Sequence, residues 1–347
     1  MNKKFPIKKW TAAAAAAAIL AGGALPLGTA TTAAESAVSA EAGSSAYLQS
    51  EARIQLIELI LSNEEAENAL QIASGVDEHA DLYKISKEAL VQVFDPSVSD
   101  TKLRETYRKF VKEYDAFLAL RFRNGASSQV NPIQRSIEAI YRFESQPFSP
   151  KTQARLDMMR QAIEVFKNPE NSTSLIVETF KNYVSYGIAE NRSTPTDAAV
   201  QQEYLRVIAE REASLAKNLA ASAAKPEDYA AQLQRHREIS ARAQSAISDP
   251  STTYNARKAA YLSYFPSANA MGSSIWLSEN LLTARKLLES PAGIRSGQYP
   301  ASAFGELKVA INKANNVLQN EKLEIPISRA SSDLSDAIRI FRGRLVP

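Results

Sequence analysis

The amino-acid sequence predicts an all-α fold, built from consecutive antiparallel three-helix bundles that form an elongated helical array. The 347 residues include only 12 Gly and 15 Pro, while residues of high helix propensity such as Ala, Leu, Glu and Lys are abundant. Apolar residues recur with the 3.6-residue period of a helix along most of the chain. The sequence contains no convincing run of alternating apolar and polar residues of the kind that predicts a β-strand.

Helix-starting and helix-ending residues divide the first half of the chain. The capping-box pattern Ser62-Asn63-Glu64-Glu65 predicts a helix start, and Gly75 is expected to end that helix. Ser99 or Asp100 is expected to cap a long helix that ends at Asn124-Gly125. The apolar stripe of this helix consists of Leu103, Tyr107, Phe110, Tyr114, Phe117 and Leu118. Later helices are expected to begin at Pro132, at Ser149-Pro150 and at Ser172, with ends at Asn168-Pro169 and near Gly187.

The second half follows the same pattern. A long helix is expected to start at Thr196, and another to run from Pro226 to Asp249-Pro250. A short helix from Tyr254 to Tyr264 is expected to stop at Pro266, because proline disrupts a helix interior. The last three helices are marked by Met271, Ile275, Leu281, Leu282 and Leu288, by a start at Pro300 and by a start at Pro326.

The predicted breaks group these helices into four units. A flexible run-in at 41–46 precedes units at 47–125, 131–190, 196–265 and 267–344. Antiparallel helices with short loops form bundles, and stacked bundles form a quasi-one-dimensional array. One larger globular bundle is the alternative.

Residues 1–40 have the order of a secretory signal peptide and leader. Lysines at positions 3, 4, 8 and 9 precede an apolar run of about 14 residues from Ala12 to Leu25 and then small residues. Cleavage is expected after Ala34 or after Ala40. An uncleaved N-terminal anchor is the alternative, although the run is shorter than a bilayer span.

Charge and cysteine content restrict the function classes. Without residues 1–40 the chain holds 37 basic and 37 acidic side chains, so no overall basic field indicates nucleic-acid binding. The absence of Cys excludes disulfides, a thiolate nucleophile and Cys-ligated metals. Secretion without Cys suggests a bacterial exterior, most simply that of a Gram-positive bacterium, where the protein is expected to be extracellular or wall-associated.

The C-terminal unit carries a more specific pattern. A Gly297-Gln298-Tyr299-Pro300 turn precedes a helix with Leu307, Ala310-Ile311, Ala314 and Val317, and a second helix follows with Leu334, Ala337-Ile338 and Phe341. Residues 281–342 thereby resemble the three-helix FIVAR-like modules of Gram-positive secreted and surface proteins. Such modules are appended to polysaccharide-active enzymes or adhesins as spacers or binding elements, so the resemblance implies a non-catalytic role. In the turn, Gly297 permits the bend, Tyr299 can cap the bundle end and Pro300 suits a first helical turn.

Two histidine-centred groups are candidates for chemistry. Asp77, Glu78 and His79 with Asp81 could hold a cation, although acidic residues also favour helix N-termini through the macrodipole. His236 lies in the charged stretch 234–238, which predicts an exposed helix face. We therefore assign neither a catalytic nor a metal-binding role, and we expect no cofactor.

Other candidates are weaker or concern binding. Ser214-x-x-Lys217 and Ser222-x-x-Lys225 match the spacing of acyl-enzyme hydrolases, but no Lys-Thr-Gly follows. Trp276, the single Trp outside the leader, is expected in a core or inter-unit contact rather than as a sugar platform.

Charge is also unevenly distributed along the chain. Residues 41–130 hold 10 basic and 15 acidic side chains, and residues 281–347 hold 10 basic and 6 acidic. The end of the last helix carries three candidates for contact with an anionic ligand, Arg339, Arg342 and Arg344. Alternatively, these cations only stabilise the negative end of the helix dipole.

The sequence therefore favours a secreted or cell-surface, non-enzymatic helical protein that acts as a binding, spacer or adhesion module. Its expected partner is a wall polymer or other extracellular polysaccharide, or a surface protein, with no nucleic acid and no membrane-spanning segment after signal cleavage. An extracellular α-helical polysaccharide-active enzyme and a membrane-active helical toxin are the alternatives.

Overall fold

The all-α prediction is confirmed. The structure, a computed structural model, describes residues 45–70, 80–123, 131–144, 153–194 and 196–347. Within these residues it contains eleven α-helices and no β-strand. The helices are α1 (Glu51–Leu70), α2 (Ala80–Val93), α3 (Asp100–Arg123), α4 (Pro132–Glu144), α5 (Gln153–Lys167), α6 (Thr173–Glu190), α7 (Ala198–Ala221), α8 (Ala230–Ser248), α9 (Tyr254–Leu287), α10 (Ala301–Asn320) and α11 (Glu324–Gly343). Short 3-10 turns at Ser45–Gln49 and Pro226–Tyr229 precede α1 and α8.

Most of the predicted helix ends are found at or near their expected positions. Ser172 caps α6, accepting a hydrogen bond from the Leu175 N–H at 3.3 Å, and Ser99 accepts one from the Lys102 N–H at 3.3 Å at the start of α3. Pro132 is the first residue of α4. Two helices begin two residues away from their expected starts. Helix α7 begins at Ala198, capped by Asp197, where Thr196 was expected. Helix α11 begins at Glu324, where Pro326 was expected.

The helix start predicted at Ser62 is wrong. Ser62 and Asn63 lie inside α1, and both are buried. The Ser62 hydroxyl donates to the Glu58 carbonyl at 2.7 Å, four residues earlier in the same helix. A serine inside a helix commonly makes this bond, and here Ser62 makes it instead of capping a helix start. The expected boundaries at Gly75, Asn124-Gly125 and Ser149-Pro150 lie outside the described residues.

The first and larger hydrophobic core forms around α1, which packs against α2, α3, α6 and α9. Its fully buried members include Leu56, Phe110, Phe180 and Tyr264. Arg53 of α1 is also buried, and its guanidinium donates to the carbonyls of Val93 at 2.6 Å, Val98 at 2.8 Å and Asp95 at 3.0 Å. This side chain therefore satisfies the carbonyl of Val93, the last residue of α2, which the helix leaves without a partner, and it ties down the turn that follows.

Helix α9 continues through Pro266, so the predicted short helix ending at Tyr264 is wrong. Proline removes one hydrogen bond, that to the Leu262 carbonyl, at a cost of about 3 kcal/mol relative to alanine. Packing on both sides of the proline outweighs this cost, since Tyr264 and Ala268 are buried in the first core and Leu277 and Leu281 in a second. Helix α9 is thus shared by two cores.

The second core is a three-helix bundle of α10, α11 and the C-terminal part of α9. A loop at 288–300 closes its end: Gly297 has a φ of +78°, which favours glycine. The Tyr299 ring stacks on Phe341 with centroids 4.4 Å apart, and Phe304 meets the Phe341 ring edge-on. The predicted roles of Gly297 in the bend and of Tyr299 at the bundle end are therefore confirmed.

Candidate functional site

The predicted acidic and histidine cluster falls mostly outside the described residues. Asp77, Glu78 and His79 are not among them, and Asp81 lies exposed in the first turn of α2. Among the residues that are described, no group of three or more His, Cys, Asp or Glu side chains is placed to hold a metal ion. Nor does this part of the chain contain a helix that is both long and apolar enough to cross a membrane.

His236 is buried, so the prediction of an exposed position on a charged helix face is wrong. Only 2% of the residue is exposed, because α8 turns it towards α7 and α9. Its Nδ1 lies 3.1 Å from the Ser267 hydroxyl of α9, and its Nε2 lies 3.1 Å from a carboxylate oxygen of Glu212 on α7. The Ser240 hydroxyl donates to the same oxygen at 2.8 Å. Sequence spacing could not place these groups together, because they come from three helices.

This cluster has the composition of a Ser-His-acid triad but not its hydrogen bonding. The Ser267 hydroxyl donates to the Tyr264 carbonyl at 2.9 Å within α9, whereas a nucleophile must direct its proton to the imidazole. Burial alone would raise the pKa of Glu212, but its contacts with His236 and Ser240 outweigh burial and lower it. The arrangement therefore ties three helices together through a charged carboxylate.

The two Ser-x-x-Lys pairs are not built into a site. Ser214 and Lys217 are both exposed on α7. Ser222 is the residue after α7, and its hydroxyl accepts a hydrogen bond from the Ala224 N–H at 3.1 Å, so the chain turns before it reaches Lys225. The helical geometry that would bring Ser222 and Lys225 together is absent from this described segment.

Trp276 projects from α9 into solvent, so the expectation of a core or inter-unit position is wrong. The residue is 68% exposed, whereas Ile275 and Leu277 on either side of it are buried. The reason is helical phase: Trp276 lies one residue, or about 100°, from the apolar stripe that contains Met271 and Ile275. An indole exposed to this degree has a free face for a ligand.

The face of α9 that carries Trp276 is partly exposed over the two turns before the tryptophan. Asn269, Gly272 and Ser273 precede the tryptophan by seven, four and three residues and therefore share its face. Space is open where a Cβ would stand on Gly272. Long side chains lean towards the helix N-terminus, so the indole extends over this turn.

A cavity of about 250 Å³ lies on the N-terminal side of Trp276, between α1, α2, α9 and the start of α11. We call it the Asn63 cavity; its lining includes Ile60, Asn63, Tyr83, Lys87, Phe265 and Glu324. Asn269 also lines it and stands about 10 Å from Trp276 along the helix axis. Sequence analysis did not identify this site, because the Ser62-Asn63 pattern predicted a helix start, whereas both residues are buried inside α1.

The three candidate arginines at the end of α11 differ in their surroundings. Arg339 pairs with Asp336 at 3.0 Å, and Arg344 pairs with Glu306 of α10 at 3.0 Å. Arg342 is exposed in the last turn. All three side chains are exposed, and their contact with an anionic ligand stays a prediction.

Comparison of the chain with protein-family models, with curated proteins and with solved structures gives no significant match.

Proposed function

We propose that the protein is an exported, non-enzymatic helical module that binds extracellular polysaccharide, and that Trp276 supplies the contact surface. On this proposal residues 1–40 direct export and are removed, and the remainder acts at or outside the cell wall of a Gram-positive bacterium. The proposal includes a role for the C-terminal FIVAR-like unit as a spacer or binding element.

The observation that carries the proposal is the exposure of Trp276. Burying an aromatic ring is a large source of hydrophobic stabilisation, so a tryptophan left 68% exposed forgoes that contribution to folding. Its neighbour Gly272 has open space where a Cβ would stand, and Ser273 adds a small hydroxyl side chain on the same face. A flat apolar face beside hydroxyl and amide groups suits the stacking of a sugar ring.

Retention on purified Gram-positive cell walls tests the proposal. The wild-type protein lacking residues 1–40 is expected to sediment with the walls, and Trp276→Ala to bind at least about 10-fold more weakly, as exposed tryptophans at binding hot spots do. Val309→Ala is the matched control, since Val309 is 70% exposed and belongs to a different helix, α10. Both variants should keep wild-type stability within about 0.5 kcal/mol. Absence of wild-type retention, or equal retention of Trp276→Ala, would refute the proposal.

A salt titration of the same assay tests the arginine prediction. If Arg342 contacts an anionic wall polymer, retention should weaken as salt rises and Arg342→Ala should flatten that dependence. Retention that does not respond to salt would assign the binding to uncharged glycan alone. Mass spectrometry of the exported protein tests the leader, since cleavage after Ala34 or Ala40 leaves Glu35 or Glu41 as the first residue.

A further inference from the structure

The Asn63 cavity contains a buried acceptor that has no partner. Asn63 is only 3% exposed, and its Nδ2 donates to Glu67 at 2.9 Å, but its Oδ1 receives no hydrogen bond. An unsatisfied buried polar atom costs about 1–3 kcal/mol, and such atoms are rare in folded proteins. Asn63 also lines the cavity, so an outward turn of its amide would bring this acceptor within reach of a donor on a ligand there.

A second acceptor without its usual donor lies in the backbone of α9, in a residue that lines the cavity. Because Pro266 has no N–H, the Leu262 carbonyl lacks the donor that a regular helix provides. Leu262 and Pro266 both line the cavity. The costly proline inside α9 therefore coincides with the position where a ligand could contact its backbone.

The remaining polar side chains of the lining include both acceptors and donors. Glu64 and Glu324 bring two carboxylates to the cavity, and Lys87 brings one ammonium group, which lies 5.2 Å from the centroid of the Tyr83 ring. Burial and the carboxylates of Glu324 and Glu67 raise the pKa of Tyr83 to about 12, so its phenol stays protonated. Two carboxylates against one ammonium group give a negative charge balance, which disfavours an anionic ligand.

Apolar side chains complete the lining, with Ile60, Leu90 and Phe265 among them. Pockets that combine apolar walls with a few convergent polar groups are typical of small-molecule sites. The volume of about 250 Å³ is below the roughly 300–1,000 Å³ of pockets for drug-sized ligands. A single ring fits these dimensions better than an oligomer.

We infer that the Asn63 cavity binds one uncharged, hydroxyl-rich saccharide unit, which donates hydrogen bonds to Asn63 and to the acceptors around it. The inference deepens the proposed function, on which its biological role rests, by naming the chemical class of the ligand. Helices α1 and α2 line the cavity from the first core and α11 from the second bundle, with α9 between them. A bound saccharide therefore contacts both halves of the chain.

An NMR titration of the wild-type protein gives a direct test. Glucose and N-acetylglucosamine, as uncharged probes, should shift the amide signals of Asn63, Ser86 and Asn269 with saturation in the millimolar range. Glucose 6-phosphate should bind at least about 10-fold more weakly because of Glu64 and Glu324. Cyclohexanol, which keeps the ring but only one hydroxyl, should also bind at least about 10-fold more weakly. At a concentration 100 times its dissociation constant, the tighter sugar should raise the melting temperature by about 4–6 °C.

Variants locate the binding. Asn63→Leu preserves the side-chain shape but removes the acceptor, and should weaken sugar binding at least about 10-fold. Asn68→Leu is the matched control, since Asn68 is exposed on the same helix and does not line this cavity. Glu324→Gln, on the first turn of α11, should weaken binding several-fold and provides a second readout if Asn63→Leu does not fold.

The outcomes separate this inference from the proposed function. Sugar-induced shifts at the cavity together with a lack of wall retention would support the inference and refute the proposed function. Wall retention that depends on Trp276 would support the proposed function. If the cavity signals then do not shift at sugar concentrations well above the millimolar range, the inference is refuted. Equal binding of glucose and cyclohexanol, or unchanged binding by Asn63→Leu, would also overturn the inference.

Discussion

Replacement of Pro266 by alanine tests whether α9 is one continuous helix. A proline inside a helix is about 3 kcal/mol less favourable than alanine, because it removes a hydrogen bond and crowds the preceding turn. Alanine also gives the unfolded chain more freedom, which offsets about 0.4–1 kcal/mol of the gain. The net expectation is that Pro266→Ala stabilises the protein by about 2 kcal/mol. For a chain of this size that corresponds to a rise in melting temperature of about 4 °C.

Pro250 provides a control of opposite sign. It lies in the turn between α8 and α9, where the preceding Asp249 side chain accepts a hydrogen bond from the Ser251 N–H at 2.8 Å. A proline in a compatible turn stabilises by restricting the unfolded chain, so Pro250→Ala should lower stability by about 0.4–1 kcal/mol. Thermal and urea denaturation followed by circular dichroism at 222 nm would measure both variants.

A distance measurement checks the geometry directly. Because the chain has no Cys, spin labels can be placed at two introduced cysteines without further changes. Positions 258 and 276 are eighteen residues apart on one face of α9, which corresponds to about 27 Å in a continuous helix. A clearly shorter distance, or a destabilising Pro266→Ala, would refute the continuous helix.

Three further predictions concern other contacts. Arg53→Met should destabilise the fold by about 3 kcal/mol, since the buried Val93 carbonyl and the partly buried Val98 carbonyl lose a charged donor. Arg206→Met, which removes an exposed ion pair, should cost no more than about 1 kcal/mol in the same urea titration. Phe341→Ala should cost about 3–5 kcal/mol by removing a buried ring from the second core, and a near-neutral result in calorimetry would contradict the packing described. Burial raises the pKa of Glu67 despite the opposing effects of Lys87 and Asn63. The ionised form of Glu67 therefore destabilises the folded state at neutral pH. Wild-type stability should therefore rise as pH falls through this raised folded-state pKa towards the ordinary value, and Glu67→Gln should be more stable at pH 7 and lack that rise.

The helices were predictable from local signals, and their arrangement was not. Ser172 and Pro132 act within one turn of chain, so sequence neighbours suffice to place them. Pro266 failed as a helix end because two cores, formed with residues far along the chain, hold both sides of it in a helix. A local rule cannot weigh that packing against a cost of about 3 kcal/mol.

The candidate site shows the same limit more strongly. Trp276 could have been placed on the outer face by extending the phase of Met271 and Ile275, so its exposure was within reach of sequence analysis. The Asn63 cavity was not, because its walls come from four helices and its key atom is recognisable only by the partner it lacks. The partners of His236 likewise come from helices that pattern alone could not bring together.

The shared helix α9 has a consequence for the order of folding during synthesis. The first core includes side chains as late as Ala268, so more than three-quarters of the chain must emerge before that core can close. Folding that starts late leaves a nascent chain extended for longer. If residues 1–40 direct export, as proposed above, such a delay would keep the chain in the extended form that a narrow translocation channel can pass.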